Sequence, residues 1–531
     1  MKRIPALLLS AVLAVSSLSV LPAGAVGRDV TFSQFPSSIN GGEPIRGVDV
    51  SSVISVEEAG VRFHNDTDYK EDDIFRVLAE SGVNYIRVRV WNDPNDRSGH
   101  SYGGGHSDVK TAAKIGRRAA KYGMKLLVDF HYSDFWADPG KQRVPKAWEG
   151  QSRADKGSSI YFFTLDALKQ IRDAGGDIGM VQVGNETNCL MCGENDMYEI
   201  CQMMIAGCNA VGDFDPSILK VLHFADPSCG HYPWYAKVLN ECKVNYDVFA
   251  TSYYPYWHGT TDNLRDVMKQ IGTTYNKYVM VAETAYPYTN DDGDHFGNAV
   301  TQQSKNVTFR YPISVEGQAD CLTDVFQAMA DCGGKGLGVF YWEPAWIGVP
   351  KLSWEEQSKL WERCGSGWAT RYAAEYDKEV KEAGGSSYDN QGLFNFWGYP
   401  NESLHVFGNI YPQTKKQFPT EPPATEPTTE PTTEPTTEPT TEPTTEPAAE
   451  PTTEPTTEPT TLPPTEPPTK PPKPRRELSD LIRLQKHLHR RQVDDRDRLR
   501  LCDMDGDGVL DVYDLGLMKR EILLERGKDR T

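Results

Sequence analysis

Glu186 and Glu283 are the residues of this chain best placed to do chemistry together. Each stands where an apolar, strand-like run gives way to polar loop, Met180–Val183 before the first and Val279–Ala282 before the second. Two facing carboxylates form an acid/base and nucleophile kit. One protonates a departing oxygen while the other attacks carbon or activates water, the minimum equipment for cleaving a glycosidic bond. A lone loop Glu is ordinarily a solvated surface residue. Two at strand ends, set among aromatic residues, point instead to one shared site.

The elements that must position them are legible as eight apolar, β-branched runs: Ile45–Val50, Tyr85–Val90, Lys125–Phe130, Gly179–Val183, Leu219–Phe224, Val248–Ser252, Tyr278–Ala282 and Gly338–Trp342. Helix-period stretches lie between several of them, at Asp72–Ala79, Asp108–Lys121, Phe162–Asp173 and Gln318–Asp331. Strands buried on both faces and alternating with helices predict parallel βαβ units, and eight such units predict an α/β fold, the (β/α)8 TIM barrel. An open doubly wound sheet is the rival, but no Gly-rich phosphate loop follows a strand. The strand ends carry Asp49; Arg87, Arg89 and Trp91; Asp129, His131 and Asp134; Asn185 and Glu186; His223; Tyr253, Tyr254, Tyr256 and Trp257; Glu283; and Trp342, Glu343 and Trp346. Hydroxyl-bonding polar groups beside flat aromatic faces suit a carbohydrate cleft. Of these, Asn185, Arg87, Asp129, His131, Tyr253, Trp342 and Trp91 are the expected substrate contacts.

Several of these stretches resemble glycoside hydrolase family 53, the arabinogalactan endo-β-1,4-galactanases, within a large clan of retaining (β/α)8 glycosidases. They are Gly47-Val48-Asp49-Val50-Ser51-Ser52, Arg87-Val88-Arg89-Val90-Trp91 and the long run from Asp129 to Pro139 (DFHYSDFWADP). Gln182-Val183-Gly184-Asn185-Glu186-Thr187-Asn188, Ser252-Tyr253-Tyr254-Pro255-Tyr256-Trp257 and Val281-Ala282-Glu283-Thr284 complete the set. The resemblance implies Glu186 as acid/base, Glu283 as nucleophile and Asn185 bonding the sugar 2-hydroxyl. On physical grounds the acid then needs a raised pKa from burial or a neighbouring charge, and the nucleophile a cation such as Arg87 or Arg89.

Two stretches are suited to Ca²⁺. After the seventh run, Asp292, Asp294 and Asn298 offer hard oxygen ligands on a Gly-containing loop, with Ser387 and Asp389 as a second contribution. In the family pattern a His accompanies them, and here His295 stands one place early. Near the C-terminus, Asp503, Asp505, Asp507, Val509 through its carbonyl, Asp511 and Asp514 occupy EF-hand loop positions around Gly508. A second, degenerate copy of the following helix precedes it by 34 residues, with Asp480 and Leu481 echoing Asp514 and Leu515. This duplicated loop–helix unit resembles a dockerin, which implies one calcium and a cohesin on a scaffold protein as partner.

The chain divides accordingly. Residues 1–25 read as a signal peptide, with Lys2 and Arg3, an apolar core and Ala23-Gly24-Ala25. Residues 26–415 form the barrel, 416–474 a disordered Thr/Glu/Pro linker with nothing apolar to bury, and 475–531 the small helical dockerin-like module. A secreted, extracellular protein associated with a cell surface or cellulosome follows, with no membrane span. The net charge of −19 speaks against nucleic acid and belongs largely to the linker. Nine cysteines fall in the barrel. Cys189, Cys192, Cys201 and Cys208 are read as bridges rather than a zinc cluster, in pairings the spacing leaves open.

The expected function is a secreted retaining endo-β-1,4-galactanase acting on internal bonds of pectic (arabino)galactan, with calcium and no organic cofactor. The same barrel acting on mannan, xylan or β-glucan is one alternative. A carbohydrate-binding scaffold component without catalysis is another.

Overall fold

The computed structural model describes residues 26–412. The signal segment, the linker and the dockerin-like module, including its six EF-hand ligands, lie outside the described residues. Eight parallel strands close into a barrel: β1 (Ile45–Asp49), β2 (Tyr85–Val90), β3 (Lys125–Phe130), β4 (Ile178–Val183), β5 (Leu219–Ala225), β6 (Val248–Ser252), β7 (Tyr278–Glu283) and β8 (Gly336–Trp342). Each pairs with the next, and β8 returns to β1. The eight sequence runs coincide with these strands to within a residue or two. Where the barrel seals, Gly338 holds φ +140°, and a Cβ there would sit 2.0 Å from the Ile45 carbonyl oxygen, so only glycine fits.

Helices wrap the outside. Val109–Lys121 is started by Asp108, whose carboxylate accepts the Thr111 N–H at 2.7 Å, and ends on Arg118 and Lys121, charges that suit the two helix termini. Its Ala112, Ile115 and Ala119 are buried. The helix Arg153–Asp173 starts nine residues before the predicted stretch, because Ser152 caps it by accepting the Asp155 N–H. Its first turns, Asp155-Lys156-Gly157-Ser158-Ser159, carry no apolar period for a sequence reading to detect. Among the described residues no helix is long and apolar enough to cross a membrane. The nine described cysteines are free thiols, so the expected bridges are not formed among them. Most are buried as small apolar groups.

Strand register decides what reaches the barrel mouth. On β2 the alternation sends Arg87 and Arg89 inward, while Ile86, Val88 and Val90 join the hydrophobic core. Between β6 and β7 the register slips: Thr251 pairs with Val281, but Ser252 pairs with Glu283, and Ala282 is the extra residue of a bulge. Side chains in one row of a sheet point the same way, so the slip gives Glu283 the direction of Ser252. Without it Glu283 would align with Tyr253, which faces away from the mouth.

Candidate active site

Four strand ends stop on a non-glycine residue in the left-handed region: Tyr132 after β3, Glu186 after β4, Asp226 after β5 and Glu343 after β8, with φ of +49°, +45°, +66° and +48°. Each such residue costs on the order of 1–3 kcal/mol and persists only because its surroundings hold it. At Glu186 the preceding Gly184 is also at positive φ, +88°, which turns the chain sharply out of β4. The Glu186 backbone N–H then donates to His223 Nδ1 at 3.3 Å, locking the turn.

The centre of the site is Arg87, fully buried. Its Nη1 lies 2.8 Å from Asp49 Oδ2, and its Nη2 lies 2.8 Å from Asp129 Oδ2 and 2.8 Å from Glu283 Oε1. Nη2 also donates to Asn185 Oδ1 at 2.9 Å, and Nε to Gln182 Oε1 at 3.2 Å. One guanidinium thus ties together β1, β3, β4 and β7. Burial works against the charge, but Asp129, Glu283 and Asp49 more than offset it and keep Arg87 protonated. Burial would likewise raise Asp129, yet Arg87 and His131 hold it below the usual carboxylate range.

The two glutamates differ in their neighbours. Glu283 Oε1 is ion-paired with the Arg87 guanidinium, and Oε2 accepts from the Tyr254 hydroxyl at 3.1 Å. Glu186 is half-buried by surface, though its carboxyl lies deep in the cleft. Burial first, then the charge of Glu283, pushes it up to about 8. Burial raises Glu283 as well, while Arg87 and Tyr254 oppose that rise. A proton available to the pair therefore rests on Glu186 and the negative charge on Glu283. Both residues line one cleft of about 390 Å³, together with Arg87, Arg89, His131, Asn185, Tyr254 and a wall of indoles formed by Trp136, Trp257, Trp342, Trp346 and Trp368. Trp257 is 41% exposed, a flat face on the cleft rim. Trp136 is braced by the Arg89 guanidinium, 4.3 Å from its ring centre, and Arg89 by Glu343 at 2.5 Å.

Of the expected substrate contacts, Arg87, His131, Asn185 and Trp342 line the cleft. Three do not, and the expectation for them is corrected. Trp91 is fully buried and donates its indole N–H to His131 Nδ1 at 3.1 Å, supporting the wall from behind. Asp129 is fully buried beneath Arg87 and His131. Tyr253 is also fully buried, with its hydroxyl donated to the Gly259 carbonyl at 3.0 Å. Its neighbour Tyr254 is the one that reaches Glu283. Asn185 Oδ1 accepts from Arg87 and Gln182, and Nδ2 donates to the Ala137 carbonyl at 2.8 Å, which leaves one amide hydrogen for a ligand. Sequence reasoning did not single out Trp136 or Tyr388 for the cleft. Trp136 lay in plain view within the Asp129–Pro139 run, whereas Tyr388 arrives from a segment about a hundred residues beyond β7 and no pattern marks it.

The loop after β7 brings carboxylate oxygens of Asp292, Asp294 and Asp389 within 4.8 Å of one another, the one such metal-type group among the described residues. Asp389 Oδ2 accepts the Gly293 and Asp294 N–H groups at 2.8 and 3.1 Å, while its Oδ1 is buried with no partner. Asn298 Oδ1 is likewise buried and unpartnered, its Nδ2 donating to the Asp291 carbonyl. Burial pushes Asp294 up to about 6, and burial together with Asp294 raises Asp389 well above its ordinary range. Crowded acids with orphaned oxygens are the donor set a hard divalent cation fits. Ser387 lies between this cluster and the cleft, lining the latter while its carbonyl accepts the Ala299 N–H at 2.9 Å. His295 is exposed and contributes only its backbone N–H, to Asp292 Oδ1 at 2.6 Å.

Known proteins resemble this arrangement. A family model described as Glycosyl hydrolase family 53 matches residues 45–407. The endo-beta-1,4-galactanase of Bacillus subtilis (strain 168) is 53% identical over 367 residues, covering 68% of this chain and 85% of that protein. The arabinogalactan endo-beta-1,4-galactanase of Cellvibrio japonicus (strain Ueda107) is 33% identical over 339 residues, 61% of this chain and 86% of its own length. Among solved structures, the Ignisphaera aggregans GH53 catalytic domain superposes with a TM-score of 0.63 at 34% identity, covering 72% of this chain and 99% of that one.

Proposed function

Since this chain belongs to glycosyl hydrolase family 53 and is a glycoside hydrolase, we propose that it hydrolyses internal β-1,4-galactosidic bonds of (arabino)galactan with retention of configuration. The observation that carries the reading is the unequal pair in one cleft, Glu283 bonded to Arg87 and Glu186 pushed up to about 8. Glu186 delivers its proton to the glycosidic oxygen as Glu283 Oε2 or Oε1 attacks the anomeric carbon. Glu186, now ionised, takes a proton from the water that releases the sugar, and the acid is restored. Retention requires the two carboxyls roughly 5–5.5 Å apart. Arg87 and Tyr254 keep Glu283 anionic before attack, and the free Asn185 amide hydrogen is available to the 2-hydroxyl. The galactan assignment is supported by the names of the B. subtilis and C. japonicus relatives. The test is product release from purified galactan, mannan, xylan and β-glucan, with the anomer of the first product followed by proton NMR. Release from galactan with the β-anomer first is expected; an α-anomer or cleavage of mannan alone sinks the proposal.

The same reading includes one Ca²⁺ held by Asp292, Asp294, Asp389 and Asn298, which braces the loop leaving the nucleophile's strand and takes no part in the chemistry. It also includes export by residues 1–25, pectic galactan as the natural substrate, and attachment to a scaffold cohesin through a calcium-loaded module built on Asp503, Asp505, Asp507, Val509, Asp511 and Asp514. Pull-down with an immobilised cohesin in calcium and in chelator tests that attachment.

A further inference from the structure

Gln142 is buried in the loop that leaves β3, and the mechanism above gives it no part. It follows a tight hairpin in which Asp138 and Lys141 exchange backbone bonds, the Asp138 N–H to the Lys141 carbonyl at 2.9 Å and the reverse at 3.0 Å. Its side chain crosses to the neighbouring strand end. Gln142 Nε2 donates to the Asn185 carbonyl at 2.7 Å and to the Asp138 carbonyl at 3.1 Å. Both partners are acceptors only, so the amide must present its nitrogen there and cannot be turned over. Its Oε1 is buried with no partner. An apolar side chain of the same size would fill this space without leaving an orphaned oxygen, so packing does not call for a glutamine. The two amide hydrogens do.

The Asn185 carbonyl belongs to the peptide unit immediately before Glu186. The other end of that unit, the Glu186 N–H, donates to His223 Nδ1 at 3.3 Å. A trans peptide is planar and directs its C=O and N–H opposite ways, so one plane is held from two sides, by the β3 loop and by β5. Rotation of this plane is the motion that would relax the Glu186 φ of +45°. Asn185 Nδ2 adds a further tie to the same loop at the Ala137 carbonyl, 2.8 Å away. We propose that Gln142 is a positioning residue for the acid/base: its amide clamps the Asn185–Glu186 peptide and so fixes the aim of the Glu186 carboxyl at the glycosidic oxygen. Without the clamp the turn out of β4 relaxes, and the carboxyl remains in the cleft but is no longer aimed.

The inference rests on the glycosidase reading, and the experiment separates the two. Wild type, Gln142→Met and Gln142→Glu are compared by kcat/KM on galactan and on a dinitrophenyl β-galactobioside, whose leaving group departs without a proton. Methionine fills the space but has no donor. Gln142→Met is expected to lose roughly ten- to a hundredfold on galactan, the scale of a misplacement of about 1 Å, and little on the aryl substrate. Glutamic acid has the shape of glutamine, and at a pH of about 5 a carboxyl buried against two carbonyl oxygens is protonated. Gln142→Glu then keeps one donor and most of the galactan rate. Equal losses of either variant on both substrates are what a loosened core alone would give, and they overturn the proposal. So does a Gln142→Met as fast as wild type on galactan, or a Gln142→Glu no faster there than Gln142→Met. Failure of wild type on both substrates is the separate failure of the glycosidase reading.

Discussion

Arg87 touches Glu283 through Nη2, 2.8 Å from Oε1, and this contact separates two otherwise similar carboxyls into a charged one and a protonated one. The same guanidinium neutralises Asp49 and Asp129, so it serves the fold and the chemistry at once.

Arg87→Met removes the cation from three buried carboxylates. Breaking a buried pair in this way costs about 3–5 kcal/mol. A lowered midpoint in urea is expected, together with an acidic limb of the kcat/KM profile displaced upward, because Glu283 loses the charge that opposes its burial. A variant of unchanged stability would refute the central role assigned to this arginine.

Truncating the carboxyls gives different losses. Glu283→Ala should abolish measurable turnover, a loss of about 10,000-fold or more. Glu186→Ala should fall by roughly a hundred- to ten-thousandfold on galactan. Azide should restore Glu186→Ala by forming a β-galactosyl azide, and an α-azide from this variant would exchange the two roles.

The pH dependence follows from Glu186 at about 8. Activity needs its proton, so kcat/KM should decline as pH rises through that value. Stability carries the same sign. A carboxyl raised above its unfolded value of 4.5 contributes stability that is full below that value and lost as pH climbs through about 8. Glu186→Gln should therefore raise Tm relative to wild type at pH 9 and leave it nearly unchanged at pH 4. Equal shifts at both pH values, by calorimetry, would contradict this assignment.

Calcium should stabilise the barrel expressed as residues 26–412 by about 2.7 kcal/mol at a hundredfold excess over Kd, read as a raised Tm. Asp389→Asn should remove most of that increment while leaving the cleft's residues in place. The same gain in wild type and variant would exclude the Asp292, Asp294 and Asp389 cluster as its source.

The barrel was legible because parallel strands buried on both faces appear as unbroken apolar runs. That Glu186 and Glu283 share one cleft was legible because polar residues at the ends of such runs stand out. Tyr253 and Tyr254 show where this reading stops. Adjacent residues at a strand end point opposite ways, and which of them faces the mouth depends on register, which leaves no mark in composition. Trp91 misleads differently: it is in phase with Arg87 and Arg89, but it lies just past the end of β2 and turns behind the wall. Tyr388 comes from a distant segment that only tertiary packing returns to the cleft. The orphaned oxygens of Asp389 and Asn298 likewise exist only once the loop has folded.

The extra residue at Ala282 gives the seventh strand a change of phase part-way along its length. Were β6 and β7 to keep step, the mouth could receive the Ser252 hydroxyl or the Glu283 carboxyl from adjacent rows, never both. The half-step reconciles them. Below it, β7 answers to the packing of the barrel; above it, to aim alone. The direction of Glu283 can thus be adjusted without disturbing the layers of side chains beneath it.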